Sequence, residues 1–147
     1  MGSRILLVED SVRDAELILS ALEPNQVAGE VVHVRDGAEA LDYLYRRGTF
    51  AGRSDAQPIL LLLDLKLPKV DGLEVLRQIK GDAALKMIPV VMMTSSRQEQ
   101  DLVRSYELGV NAYVVKPMKF QDFVEAVKQV SGFWAGINEV PTSLRST

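Results

Sequence analysis

The chain has 147 residues, 47% of them apolar and 25% charged, with 17 basic against 20 acidic side chains, a net charge of -3 and no cysteine. That composition fits one globular domain, is too short for a (β/α)8 barrel of about 250 residues, and excludes disulfides, iron–sulfur clusters, thiolate zinc sites and cysteine nucleophiles. The acidic balance disfavours nucleic acid, and the apolar run at 59–63 is far short of the ~20 residues that span a bilayer. With no secretory pattern at the N-terminus, a cytoplasmic protein is expected.

The run ILLV at 5–8 reads as a first strand, and Ser11-x-x-Asp14 opens a helical pattern of Val12, Ala15, Ile18, Leu19 and Leu22. A second strand over 31–34 leads into Asp36-x-x-Glu39 and the spacing Ala38, Leu41, Leu44, with Gly48 as the expected left-handed stop. Residues 46–58 form an unusually long polar connection. The third strand, 59–63, is continuously apolar, as befits a strand covered on both faces. Asp71-x-x-Glu74 and Leu73, Leu76, Ile79 make a third helix, with Gly81 as its expected left-handed stop. A fourth strand over 90–93 is followed by Ser96-x-x-Glu99, read as a capping box, and a helix stopping at Gly109. The fifth strand, 112–115, precedes Phe120, Phe123, Val127 and Val130 at helical spacing. This alternation predicts an α/β fold with a parallel sheet covered on both sides, one domain over 1–135, and a partly mobile extension over 136–147.

Ligands of open parallel sheets bind beyond the carboxyl ends of the strands, so the strand ends carry the chemistry. Here they are Glu9-Asp10, Asp64, Thr94-Ser95-Ser96 and Lys116-Pro117. Three carboxylates gathered in one pocket repel, and a hard cation such as Mg²⁺, which prefers oxygen ligands, relieves the repulsion. The turn after strand one, VEDSVRD, places acids where a direct phosphate cradle would place glycines, hydroxyls and free N–H groups, so a phosphoryl group enters only beside a cation. Lys116 then neutralises one phosphoryl oxygen, the Thr94 hydroxyl donates to another, and Asp64 becomes the carboxylate nucleophile of an acyl phosphate.

These segments resemble the receiver domain of two-component response regulators over about residues 4–130. The resemblance rests on Glu9-Asp10, LLLDLKLPKVDGLEVL around Asp64, IPVVMMTSS with Thr94, and AYVVKP with Lys116. It implies a flavodoxin-like doubly wound (βα)5 fold with strand order 2-1-3-4-5. It also implies Asp64 as phosphoacceptor, Mg²⁺ (or Mn²⁺) held by Asp10, Asp64 and the Lys66 carbonyl with Glu9 acting through water, and Thr94 and Tyr113 as a switch pair. A sensor histidine kinase is the implied partner. The long 46–58 connection and the Phe133-Trp134 helix end most resemble single-domain regulators paired with bacterial phytochromes, with a homodimer expected and no nucleic-acid or membrane partner. Such a protein is a signalling switch rather than an enzyme.

Plainer readings stand beside these. Glu9 and Asp10 could serve as capping acids, Lys116 as a surface lysine and Tyr113 as a strand aromatic, while His33 is expected to sit passively on an edge strand. Phe133 and Trp134 either close the core or meet a partner copy, and Lys66, Lys69, Arg77 and Lys80 are expected to form a solvated face. The rival functions are a phosphatase of the haloacid-dehalogenase type, which needs an acid where Lys66 stands, and a phosphorylation-independent scaffold.

Overall fold

The computed structural model describes residues 4–22 and 30–141. Five strands, β1 (Arg4–Val8), β2 (Glu30–Val34), β3 (Leu60–Leu63), β4 (Val90–Thr94) and β5 (Ala112–Val115), form one parallel sheet in the order β2-β1-β3-β4-β5. Helices α1 (Val12–Leu22), α2 (Gly37–Tyr45), α3 (Gly72–Gly81), α4 (Glu99–Glu107) and α5 (Phe120–Ser131) connect them. A parallel pair needs a crossover connection, so the helices cover the faces and the central strands lose contact with water on both sides.

The register makes this concrete. Leu6 of β1 pairs with Leu61 of β3, and Val8 with Leu63. These four side chains enter one core with Leu76, Ile79 and Val90, while Ile5, Leu7, Leu60 and Leu62 enter the opposite core with Ile18, Phe123 and Val127. The two-residue period of a strand thus divides one apolar run between two cores. Each fully buried leucine contributes about 1.5–3 kcal/mol.

The caps agree in part with expectation. Ser11 Oγ accepts from Asp14 N, Asp36 from Glu39 N and Asp71 from Glu74 N, each fixing a helix start. The fourth does not follow: α4 begins at Glu99 behind Gln98, which makes no side-chain cap. Ser96 Oγ instead donates to Asp101 at 2.6 Å and accepts from Gln98 N, a local bond that competes with capping. Two stops also differ. The left-handed cap of α2 falls on Arg46 (φ 57) rather than Gly48, and α3 ends at Gly81 with an extended Asp82. Gly109 takes the left-handed conformation as expected, at φ 99.

The 46–58 connection is ordered by Arg53. A 3-10 turn at Gly48–Phe50 opens it, and the Arg53 guanidinium lies 3.9 Å from the centre of the Tyr43 ring. Its nitrogens donate to the Tyr43 and Ala56 carbonyls, Asp55 Oδ1 and Gln57 Oε1, which ties the long polar segment to itself and to α2. At the other end, α5 runs into a π-helix at Gly132–Ile137, and Val140 beyond it is buried against the first core. The extension is therefore docked as far as Val140. Residues 142–147 of the expected mobile tail lie outside the described residues. No helix among the described residues is long and apolar enough to cross a membrane.

Candidate functional site

Parallel strands deliver their carboxyl ends to one edge, and β1, β3, β4 and β5 each hand over a polar residue there. Asp64 continues the ladder beyond β3, its N–H donating to the Val8 carbonyl at 3.1 Å, and Lys116 does the same beyond β5 to the Thr94 carbonyl at 2.8 Å. Glu9 N donates to the Val34 carbonyl, which carries the β1 strand one residue further along the edge. Glu9, Asp64 and Lys116 are therefore fixed by backbone bonds at the strand ends, while Asp10 and Lys66 follow in the loops. Gly72 closes the other side of Asp64: its N–H bonds the Leu65 carbonyl, and a Cβ there would overlap the Asp64 carbonyl oxygen.

Glu9, Asp64, Thr94 and Lys116 are all buried, whereas Asp10 is exposed. Ligand oxygens of Glu9, Asp10 and Asp64 lie within 4.8 Å of one another. Lys116 Nζ donates to Glu9 Oε1 at 2.9 Å, to Asp14 Oδ2 at 2.9 Å and to Asp64 Oδ2 at 3.1 Å. Burial alone opposes the ammonium, but hydrogen bonds to Glu9 and Asp14 and the Asp64 charge outweigh it and hold Lys116 above the ordinary lysine pKa. Glu9 is pushed up to about 7, first by burial and then by the Asp64 charge, against the hydrogen bond from Lys116. One ammonium thus faces four carboxylates, counting Asp10. The donor set is oxygen only, close-spaced and under-neutralised, which fits a hard divalent cation.

Thr94 and Tyr113 meet through Ser96. Thr94 Oγ1 accepts from Ser96 N at 3.2 Å, and the half-buried Tyr113 donates its hydroxyl to the Ser96 carbonyl at 3.1 Å. A shift of the Thr94 hydroxyl therefore pulls on the same residue that holds the tyrosine. The helix that follows is lightly anchored, since Ser105 is its only buried residue. Glu9, Asp10, Asp64, Lys66, Thr94 and Lys116 line a single cleft of about 590 Å³. Lys66 is exposed at its rim.

Two residues exceed their expected parts. His33 lies on the edge strand β2 as expected, and its Nε2 also donates to the Glu9 carbonyl at 2.8 Å, tying that strand to the acidic turn. Asp14, read only as a helix-start acid, reaches Lys116. The signal lay in its helical phase, which turns the first-turn acid of α1 back toward the strand ends. Lys80, expected in a solvated face, is instead half-buried, with Nζ donating to the Lys86 and Ile88 carbonyls. Phe133 is exposed, while the Trp134 ring meets it edge-on and packs against the second core.

Comparison with known proteins gives a consistent picture. A family model described as the response regulator receiver domain matches residues 5–128. Response regulator Rcp1 of Synechocystis is 40% identical over 139 residues, covering 95% of this chain and 93% of the relative. The crystal structure of the Mn²⁺-bound form of Rcp1 superposes with a TM-score of 0.89, covering 95% of this chain and 99% of the other. A phosphorylated cyanobacterial phytochrome response regulator, RcpA, superposes with a TM-score of 0.90 at 45% identity, covering 96% and 99% of the two chains. The bacteriophytochrome response regulator AtBRR is 60% identical with a TM-score of 0.75, covering 95% and 99%.

Proposed function

The chain belongs to the response regulator receiver domain family, whose members are signalling proteins phosphorylated by histidine kinases, and from that premise we propose that Asp64 is its phosphoacceptor. One Asp64 carboxylate oxygen attacks the phosphorus of a kinase phosphohistidine, the P–N bond breaks, and the imidazole leaves with its electron pair and takes up a proton. Alignment and charge neutralisation supply most of the catalysis in such a transfer. The observation that carries this reading is the Lys116 ammonium held by hydrogen bonds to both Asp64 and Glu9 beside the buried Thr94 hydroxyl.

Glu9, Asp10 and Asp64, with the Lys66 carbonyl, would hold Mg²⁺ or Mn²⁺, which when bound supplies positive charge against the phosphoryl oxygens. The carboxylate spacing and the crowding of Glu9 support that donor set. Lys116 meets one phosphoryl oxygen, and Thr94 turns its hydroxyl toward another. That movement releases Ser96, and through it Tyr113 and the lightly anchored α4. The change is a population shift, sized by the difference in affinity of the two states for the phosphoryl group.

The partner in this reading is a phytochrome-type sensor histidine kinase, supported by the phytochrome regulators the chain is similar to. Phosphorylation favours a homodimer, and the exposed Val103, Tyr106, Phe133 and Ile137 supply apolar surface for it. The protein acts in the cytoplasm as a switch, with no nucleic-acid or membrane partner, and turns over nothing but its own acyl phosphate. Lys66 stands where a phosphatase of the haloacid-dehalogenase type needs an acid. Incubation with Mg²⁺ and phosphoramidate adds one phosphoryl mass to the chain, and Asp64→Asn abolishes it; labelling that persists in Asp64→Asn overturns the assignment. Light scattering of the labelled protein shows the mass of a dimer, and an unchanged mass removes the dimer from the account.

A further inference from the structure

The Lys116 ammonium has three N–H donors, and its three acceptors differ in what else the proposed function asks of them. Glu9 and Asp64 belong to the trio of carboxylates within 4.8 Å of one another, and Asp64 is in addition the oxygen to be esterified. Asp14 belongs to neither group. It is the one acceptor of Lys116 among the three that keeps its charge for the lysine throughout.

Its placement is fixed independently of the acidic cluster. Asp14 N is held by the Ser11 hydroxyl at 3.2 Å in the first turn of α1, and the next residue, Ala15, is buried on the face of α1 that carries Ile18 into the second core. The carboxylate is 16% exposed, with Lys116 on Oδ2 at 2.9 Å and Arg13 only distantly on Oδ1 at 3.7 Å. A lysine stem has four rotatable bonds, so an ammonium without a fixed acceptor wanders, and wandering costs rate in a step that depends on alignment.

We propose that Asp14 is a positioning residue that anchors the Lys116 ammonium at the phosphoryl site once Glu9 and Asp64 are engaged by the cation and the phosphoryl group. The inference rests on the phosphoacceptor reading above. Asp14 touches neither donor nor reacting oxygen; it acts through Lys116. A carboxylate there that merely repelled an anionic donor would have the opposite effect when removed, since its loss would ease donor entry.

The full chain, Asp14→Ala and Asp14→Glu are compared with phosphoramidate and Mg²⁺ over a range of donor concentrations. In the step followed, an Asp64 oxygen bonds to phosphorus, the P–N bond breaks, and ammonia leaves carrying a proton. Asp14→Ala is expected to lower the maximal rate of acceptance about tenfold while leaving the half-saturating donor concentration unchanged, and Asp14→Glu to restore part of the loss. In ¹⁵N-lysine spectra recorded with Mg²⁺ and beryllium fluoride as a phosphoryl mimic, the ordered Lys116 ammonium resonance broadens or disappears in Asp14→Ala at a temperature where circular dichroism shows both proteins folded. A maximal rate in Asp14→Ala equal to or above that of the unsubstituted chain overturns the proposal. If the unsubstituted chain itself accepts no phosphoryl group, the phosphoacceptor reading fails instead, and an ammonium resonance that Asp14→Ala leaves unchanged refutes the anchoring.

Discussion

Asp10→Asn should make the cation-free protein more stable. Asp10 shares the cluster with Glu9 and Asp64 within 4.8 Å but makes none of the Lys116 hydrogen bonds, so its charge meets repulsion from two neighbours and little attraction. At 4.8 Å a pair of like charges repels by about 0.9 kcal/mol in water and about 3.5 kcal/mol at an effective dielectric of 20. Asp10 is exposed, so the high-dielectric end applies, and removing two repulsions gains about 1–2 kcal/mol. For a chain of this size that is a rise of about 2–8 °C in Tm. The assay is thermal unfolding followed by circular dichroism, run with a chelator and again with saturating Mg²⁺. With the cation present the sign should reverse, because the unsubstituted chain binds it more tightly and recovers more binding energy from it. An Asp10→Asn protein that melts below the unsubstituted chain in chelator would refute the reasoning, since the cluster would then not be under-neutralised.

Three other perturbations probe the scaffold. Gly72→Ala places a Cβ against the Asp64 carbonyl oxygen and 2.8 Å from Leu65 Cα, both backbone; unfolding in urea should show a loss of about 1–3 kcal/mol, with weaker Mn²⁺ binding as Asp64 is displaced. Arg53→Ala removes the guanidinium that bonds Tyr43, Asp55 and Gln57, and should cost about 2–3 kcal/mol and open residues 46–58 to limited proteolysis without slowing phosphoryl acceptance. Burial lowers Lys80 from 10.5 to about 8, so between those values the unfolded chain binds more protons than the folded one, and stability attributable to this residue rises with pH. The stability of Lys80→Met relative to the unsubstituted chain should accordingly fall by about 1–3 kcal/mol from pH 8 to pH 10.5 in urea titrations, and a flat difference would contradict the shift.

Much of the fold was legible because parallel α/β architecture writes itself locally. Runs such as Leu60–Leu63 are too short for helices and too apolar for a half-exposed strand, and the capping acids at Asp36 and Asp71 stand at the helix starts they signal. The site was legible for the same reason: each strand ends in the residue it delivers, so Glu9, Asp64, Thr94 and Lys116 could be paired before any coordinate was known. What escaped depends on contacts between distant segments. Asp14 and Lys116 are separated by 102 positions, and only the packing of α1 beside α5 brings the helix face of one to the stem of the other. Ser96 had two partners to choose from, the helix backbone and Asp101, and sequence spacing favours the wrong one. The order in residues 46–58 rests on Arg53 finding the Tyr43 ring and four acceptors, and on Arg46 reaching the Arg53 and Asp55 carbonyls, which no local pattern announces.

The most direct measurement of the central claim is chemical: reduction of the labelled protein with borohydride, which converts an acyl-phosphorylated aspartate to homoserine, followed by peptide mapping. Homoserine at position 64 alone, dependent on Mg²⁺, is the predicted result. Homoserine at Asp10 or another carboxylate, or a phosphoryl group retained through reduction on His33, would contradict it.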